Sequence, residues 1–173
     1  MDIIIRRARV RGREEEGLLD VGIEGGVIVK IEEHIPERAE VELDAGGRLL
    51  SPAFVEPHIH LDKVLTAERA GLNISGTLQE AIERMWDVKK KYTIEEVKER
   101  ASRVIRWALA NGVTRIRTHA DVDTIAGLTP VKALLELRKE WEGIVDIQVV
   151  AFPQEGILTD PGTEELLRKA MEL

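Results

Sequence analysis

The chain has 173 residues, enough for one domain with a full core or a small domain joined to part of a larger one. Hydrophobic residues make up 43% of it but aromatic ones only 3%, so the core must be built from Ile, Leu, Val and Ala. A net charge of −7 argues against general affinity for nucleic acid or anionic membrane, and the lack of cysteine removes disulfides and thiolate chemistry.

The first residues, MDIIIRRARV, lack the long apolar run and cleavage site of a signal peptide, and no stretch reaches the roughly eighteen apolar residues of a bilayer span. A cytoplasmic location is therefore expected. Residues 1–50 read as a small β-rich domain: IIIRRARV, LLDVGIEGGVIVKIEEHI and VELDAGGRLL are β-branched runs broken by Gly pairs. Val21 to Val29 reads as a hairpin closed at Gly25-Gly26. His34 is expected to be an ordinary surface residue, and Arg13 to Glu16 a charged turn.

From residue 51 the pattern changes to alternating strands and helices. Leu50 to Val55 is an apolar run that leads into Pro57-His58. Residues 77–91, TLQEAIERMWDVKKK, place Leu78, Ile82, Met85 and Trp86 on one helical face, with Lys89 to Lys91 as solvated surface. Thr93 caps the next helix, with Glu96 three residues on and Gly112 at its C-terminal cap. Then come a strand in VTRIRTHAD, a helix from Thr129 to Trp141, a strand from Val145 to Phe152 and a last helix from about Pro161. Such a series of βαβ units implies a parallel sheet with helices outside, and chemistry at the C-terminal strand ends.

Polar residues gather at those ends. Side chains at i and i+2 of a strand share a face, so His58 and His60 project together, as two ligands of a divalent metal would; the alternative is two exposed loop histidines. His119 and Asp121, ending the second strand, either line the same cleft or satisfy local backbone. Gln154, after the third, reads from pattern alone as a solvent-facing turn residue. Asp62 and Lys63 form an ion pair at the mouth of the site or are simply solvated. There is no Gly-rich phosphate loop, nucleophile elbow or zinc-finger spacing, which leaves metal-assisted hydrolysis as the chemistry on offer.

PAFVEPHIHLDK, SGTLQEAIER, ANGVTRIRTHADV and DIQVVAFPQEGIL together resemble the amidohydrolase superfamily, specifically its cytosine deaminase branch, over about residues 48–160. The resemblance implies an α/β fold: the N-terminal portion of a metal-dependent (β/α)8 barrel, about three βα units over residues 51–173, preceded by the small β domain. It implies His58 and His60 as metal ligands and Gln154 and Leu78 as substrate contacts; Asp62, His119 and Asp121 remain, from the pattern, candidates for a supporting layer. It further implies iron or zinc as cofactor and a cytosine-like small molecule as substrate. The reaction implied is hydrolysis at the carbon that bears an exocyclic amine, with release of ammonia.

The family's remaining ligands are a His on the fifth strand and an Asp on the eighth, and its proton-shuttling Glu also lies on a later strand. Neither His34 nor His119 falls at those positions, so no catalytic residue is assigned within the chain. A closed barrel takes about 250 residues. The expectation is thus an incomplete deaminase-like chain, inactive alone, that self-associates or is completed by a complementary chain. A non-catalytic module with an open sheet edge is the competing reading.

Overall fold

Eight strands and five helices follow from these patterns in a computed structural model that describes all 173 residues. The chain divides into two units, Met1–Pro52 and Ala53–Leu173.

In the first unit, the alternating residues of β1 (Ile3–Val10) bury Ile4 and Ala8 on one face. β1 pairs antiparallel with β2 (Leu19–Glu24), which pairs with β3 (Val27–Glu32). The turn between β2 and β3 holds Gly25 and Gly26 at φ 58° and 77°, the left-handed pair that a tight hairpin requires. On its other side β1 runs parallel to β4 (Val41–Asp44) and to the short β5 (Leu49–Leu50). Leu19, Val21 and Ile35 complete a small apolar core.

The apolar run read from Leu50 to Val55 is divided in the structure. Leu49–Leu50 belongs to the first unit as β5, and β6 begins only at Phe54. Pro52 lies between them and has no N–H for a ladder bond, which explains the break.

In the second unit, β6 (Phe54–Ile59), β7 (Val113–Asp121) and β8 (Asp146–Phe152) form a parallel sheet in that order. One turn of helix, α1 (Ala67–Ala70), and then α2 (Leu78–Lys89) and α3 (Ile94–Ala110) connect β6 to β7. α4 (Thr129–Glu140) connects β7 to β8, and α5 (Thr163–Ala170) follows. Val97, Ala101 and Ile105 of α3 meet Ala133, Leu134 and Leu137 of α4 in a core shared with Ile116 and Ile147 of the sheet. No helix is long and apolar enough to cross a membrane.

α2 departs from its expected face. Leu78 is exposed, while Ile82, Met85 and Trp86 are only half-buried. The buried residues are Val88 and Lys89, so Lys89 is not a surface lysine, although Lys90 and Lys91 are.

Candidate metal centre

β6 carries His58 in its last turn of pleat and delivers His60 just beyond its end; β7 delivers His119 beside them. The ring centroids of His58 and His119 are 4.2 Å apart, and each lies 5.6 Å from that of His60. Phe152, at the end of β8, presents its ring edge-on to His60 and His119. Three imidazoles from two strand ends thus share one spot.

The surroundings favour the neutral form of His60 and His119. Burial, then the Lys63 cation and the other two histidines, lower the His60 pKa to about 4. Burial and His58 lower that of His119. A neutral imidazole has a lone pair to offer a cation. Nδ1 of both His60 and His119 is buried without a hydrogen-bond partner. Nδ1 of His60 lies 4.0 Å from Asp62 and 3.9 Å from Asp121, so carboxylates stand on its Nδ1 side and Nε2 faces away from them. Carboxylates behind a histidine in this manner orient metal-binding imidazoles. The donor set therefore fits a cation in kind but not in number: no three His, Asp or Glu side chains of the chain are arranged to hold one.

Asp62 and Asp121 are both fully buried. Asp62 accepts the Asp121 backbone N–H at 3.1 Å, and burial together with the Asp121 charge pushes its pKa up. Asp62 and Lys63 do not pair with each other, contrary to one sequence expectation. Lys63 turns instead to Asp121 Oδ1, at 2.8 Å, and donates to Gln154 Oε1 at 2.7 Å. The contact with Asp121 is an ion pair outside hydrogen-bonding angles, so Oδ1 stays without a hydrogen bond.

Gln154 is therefore not a solvent-facing turn residue but half-buried and held. An ammonium can only donate, so the amide oxygen must face Lys63 and the amide NH2 is left to point elsewhere. Gln154 and Leu78 line one pocket of about 180 Å3 with Lys63, Asp121 and Lys89. A larger hollow of about 650 Å3 opens toward the N-terminal halves of β7 and β8, lined by Arg115, Arg117 and Asp146 among others, and contains none of the histidines.

The sequence reading placed Glu155 with Gln154 at the third strand end but missed Asp123 and took Lys89 for helix surface. Lys89 Nζ lies 3.1 Å from Asp121, 2.6 Å from Asp123 and 2.8 Å from Glu155. Burial disfavours its charge, but the three carboxylates outweigh this and hold its pKa above the ordinary lysine range. A signal was present. Leu78, Ile82, Met85 and Lys89 follow the i, i+4, i+7, i+11 spacing of one helical stripe, and this stripe runs from exposed Leu78 to buried Lys89.

A parallel sheet with connecting helices, and histidines gathered at its C-terminal strand ends, is the arrangement of the first βα units of a (β/α) barrel. Residues 41–165 match the profile of the Amidohydrolase family, and the chain belongs to that family. It is 38% identical to the N-isopropylammelide isopropyl amidohydrolase of Pseudomonas sp. (strain ADP), across 99% of this chain and 43% of that protein. The 5-methylcytosine deaminase from Klebsiella pneumoniae liganded with 5-fluorocytosine superposes with a TM-score of 0.88 at 40% identity, over 98% of this chain and 41% of that one. The N-isopropylammelide isopropylaminohydrolase from Burkholderia multivorans gives 0.82 at 34% identity, over 99% and 43%. The chain thus spans about two fifths of the length of the relatives it matches. Its fold is the N-terminal part of an amidohydrolase barrel. Members of this family are metal-dependent.

Proposed function

We propose that this chain is part of an enzyme that hydrolytically removes an amine from a pyrimidine- or triazine-type ring, with cytosine-like rings as the leading substrate class. The observation that carries the reading is the convergence of His58, His60 and His119, linked through Asp121 and Lys63 to a glutamine whose amide oxygen is already engaged. His58 and His60 would hold the ion, iron or zinc, through imidazole nitrogens. Such an ion supplies a water nucleophile acidic enough to act near neutral pH.

The chain's own residues do the rest of what can be assigned. Gln154 directs its free NH2 toward a ring carbonyl or imine nitrogen and so orients the ring. Lys63 fixes the Gln154 amide. Leu78 forms part of the wall on the other side of the same pocket. Asp62 and Asp121 back His60 and keep its ring in place. Further metal donors and the proton-transferring carboxylate are supplied by polypeptide beyond these residues, in the same protein or in a complementary chain. The relatives' names agree with the substrate class, one being a 5-methylcytosine deaminase and the others acting on N-isopropylammelide.

The test is ammonia release from cytosine, and amine release from N-isopropylammelide, by the full-length protein loaded with iron or zinc and after chelation. Activity should require the metal. His58→Ala should lower both metal content and turnover, the latter by about a thousandfold or more. Near wild-type turnover in His58→Ala would overturn the metal assignment.

A further inference from the structure

Five groups around the small pocket beside the histidines close a ring. Lys89 bridges Asp121 and Glu155; Asp121 takes Lys63 on its other oxygen; Lys63 holds Gln154; and Gln154 is bonded through the chain to Glu155. The members come from four separate pieces of chain: the C-terminal end of α2, the end of β7, and the segments after β6 and β8. Opposite this polar ring, Leu78, Ala81, Ile82 and Met85 of α2 make an apolar wall. Gln154 is thereby located twice, through its own amide oxygen by Lys63 and through its neighbour Glu155 by Lys89. The far end of the same loop has its own anchor, where Asp160 accepts from the Thr124 N–H at 2.8 Å and the Thr163 hydroxyl at 2.6 Å.

We propose that Lys89 and Glu155 are positioning residues that clamp the loop after β8 to α2, so that Gln154 meets the substrate ring in a preset orientation. A buried lysine on three carboxylates is stiff, because its partners belong to two separate pieces of chain, the end of β7 and the loop after β8, and little water reaches the charges. Asp123 adds to that stiffness. Its second oxygen accepts the backbone N–H groups of Ile125 and Ala126, so the carboxylate cannot swing away from Lys89. The effect on Gln154 rests on the functional reading above, whereas the clamp itself does not.

Both are tested in the full-length protein. Glu155→Ala removes the loop's side of the clamp and leaves Lys89 paired with Asp121 and Asp123. Backbone amides of residues 154–158 should then exchange with deuterium about tenfold faster, while those of α5, beyond the Asp160 anchor, keep their rate. The KM for cytosine should rise roughly ten- to hundredfold, with kcat within about threefold of wild type, because orientation is lost and the reacting centre is not. Glu155→Gln keeps an acceptor for Lys89 and should restore most of both. Lys89→Met, which leaves three carboxylates without their cation, should lower the melting temperature. Unchanged exchange of residues 154–158 in Glu155→Ala, or a fall in kcat at constant KM, overturns the proposal. So does a Lys89→Met protein with wild-type stability. If the wild-type protein releases no ammonia from cytosine, the functional reading fails and the exchange rates alone decide the clamp.

Discussion

Asp20 has almost no access to water, with 3% of its surface exposed, yet it stays ionised. Burial alone would raise its pKa, but the Arg6 guanidinium at 2.8 Å and the backbone N–H groups of Arg7 and Ile35, at 2.9 and 3.2 Å, more than offset this and leave it lowered. A depressed carboxylate contributes stability that is present above its unfolded pKa, near 3.9, and is lost as pH falls through the folded value. Asp20→Ala strands these three donors and is expected to cost roughly 3 kcal/mol at neutral pH. Urea unfolding from pH 6 to pH 3 checks the sign, since the gap between wild type and variant should narrow toward pH 3. A gap that widened in acid would contradict it. The same scale shows what a sequence can and cannot disclose. His58 and His60 were legible because a period of two is a local property of a strand. Lys63 and Lys89 were not, because their carboxylate and amide partners lie from 32 to 91 positions away and only the folded sheet brings them near.

The helices of the second unit begin as their sequence dictates. Thr77 and Thr93 stand in extended conformation before α2 and α3, and their hydroxyl oxygens accept the N–H of Glu80 and Glu96, at 3.3 and 3.2 Å. Thr93→Ala should therefore cost about 1 kcal/mol of unfolding free energy, read as a shift in the urea midpoint at constant slope. The reciprocal half of the capping box is not made, because the Glu96 carboxylate is taken by Arg100 and Arg69. At the other end, Asn111 occupies the cap, one position earlier than the sequence reading placed it, and Gly112 follows at φ 83°. Gly112→Ala should cost about 1 kcal/mol or more, since a left-handed residue gains no relief from the Phe54 ring 3.5 Å from the added carbon. Caps, hairpin glycines and helical stripes could be read because their partners lie within a few residues. The parallel pairing of β1 with β4 and β5 could not, for no short-range chemistry announces a partner some forty residues on. The irregularity at Arg7, which takes φ 53° where β1 shifts register, was equally silent.

At the scale of the molecule, the order β6-β7-β8 leaves β6 and β8 as the two sides of an open parallel sheet. Strand–helix alternation made that order readable, since sequential βα units lay neighbouring parallel strands with one handedness. The consequence is physical. Parallel sheets are normally covered on both faces and rarely end in bare apolar edges, because unpaired N–H and C=O groups recruit further strands. Here Phe54 and Val55 of β6 are 63% and 57% exposed, and the charge and proline that could guard this edge, Glu56 and Pro57, come only after them. The relatives continue for more than as many residues again, in keeping with a fold that pairs these edges with further strands. The 173-residue polypeptide expressed by itself should accordingly self-associate, its average mass in sedimentation equilibrium rising with concentration over about a hundredfold range. A charge on the edge strand, Val55→Lys, should shift that mass toward the monomer by placing an ammonium where a second chain would have to bury it. Wild-type polypeptide that stayed monomeric over the same range would show that the edges are already protected, and that this sheet does not depend on further strands to be stable in water.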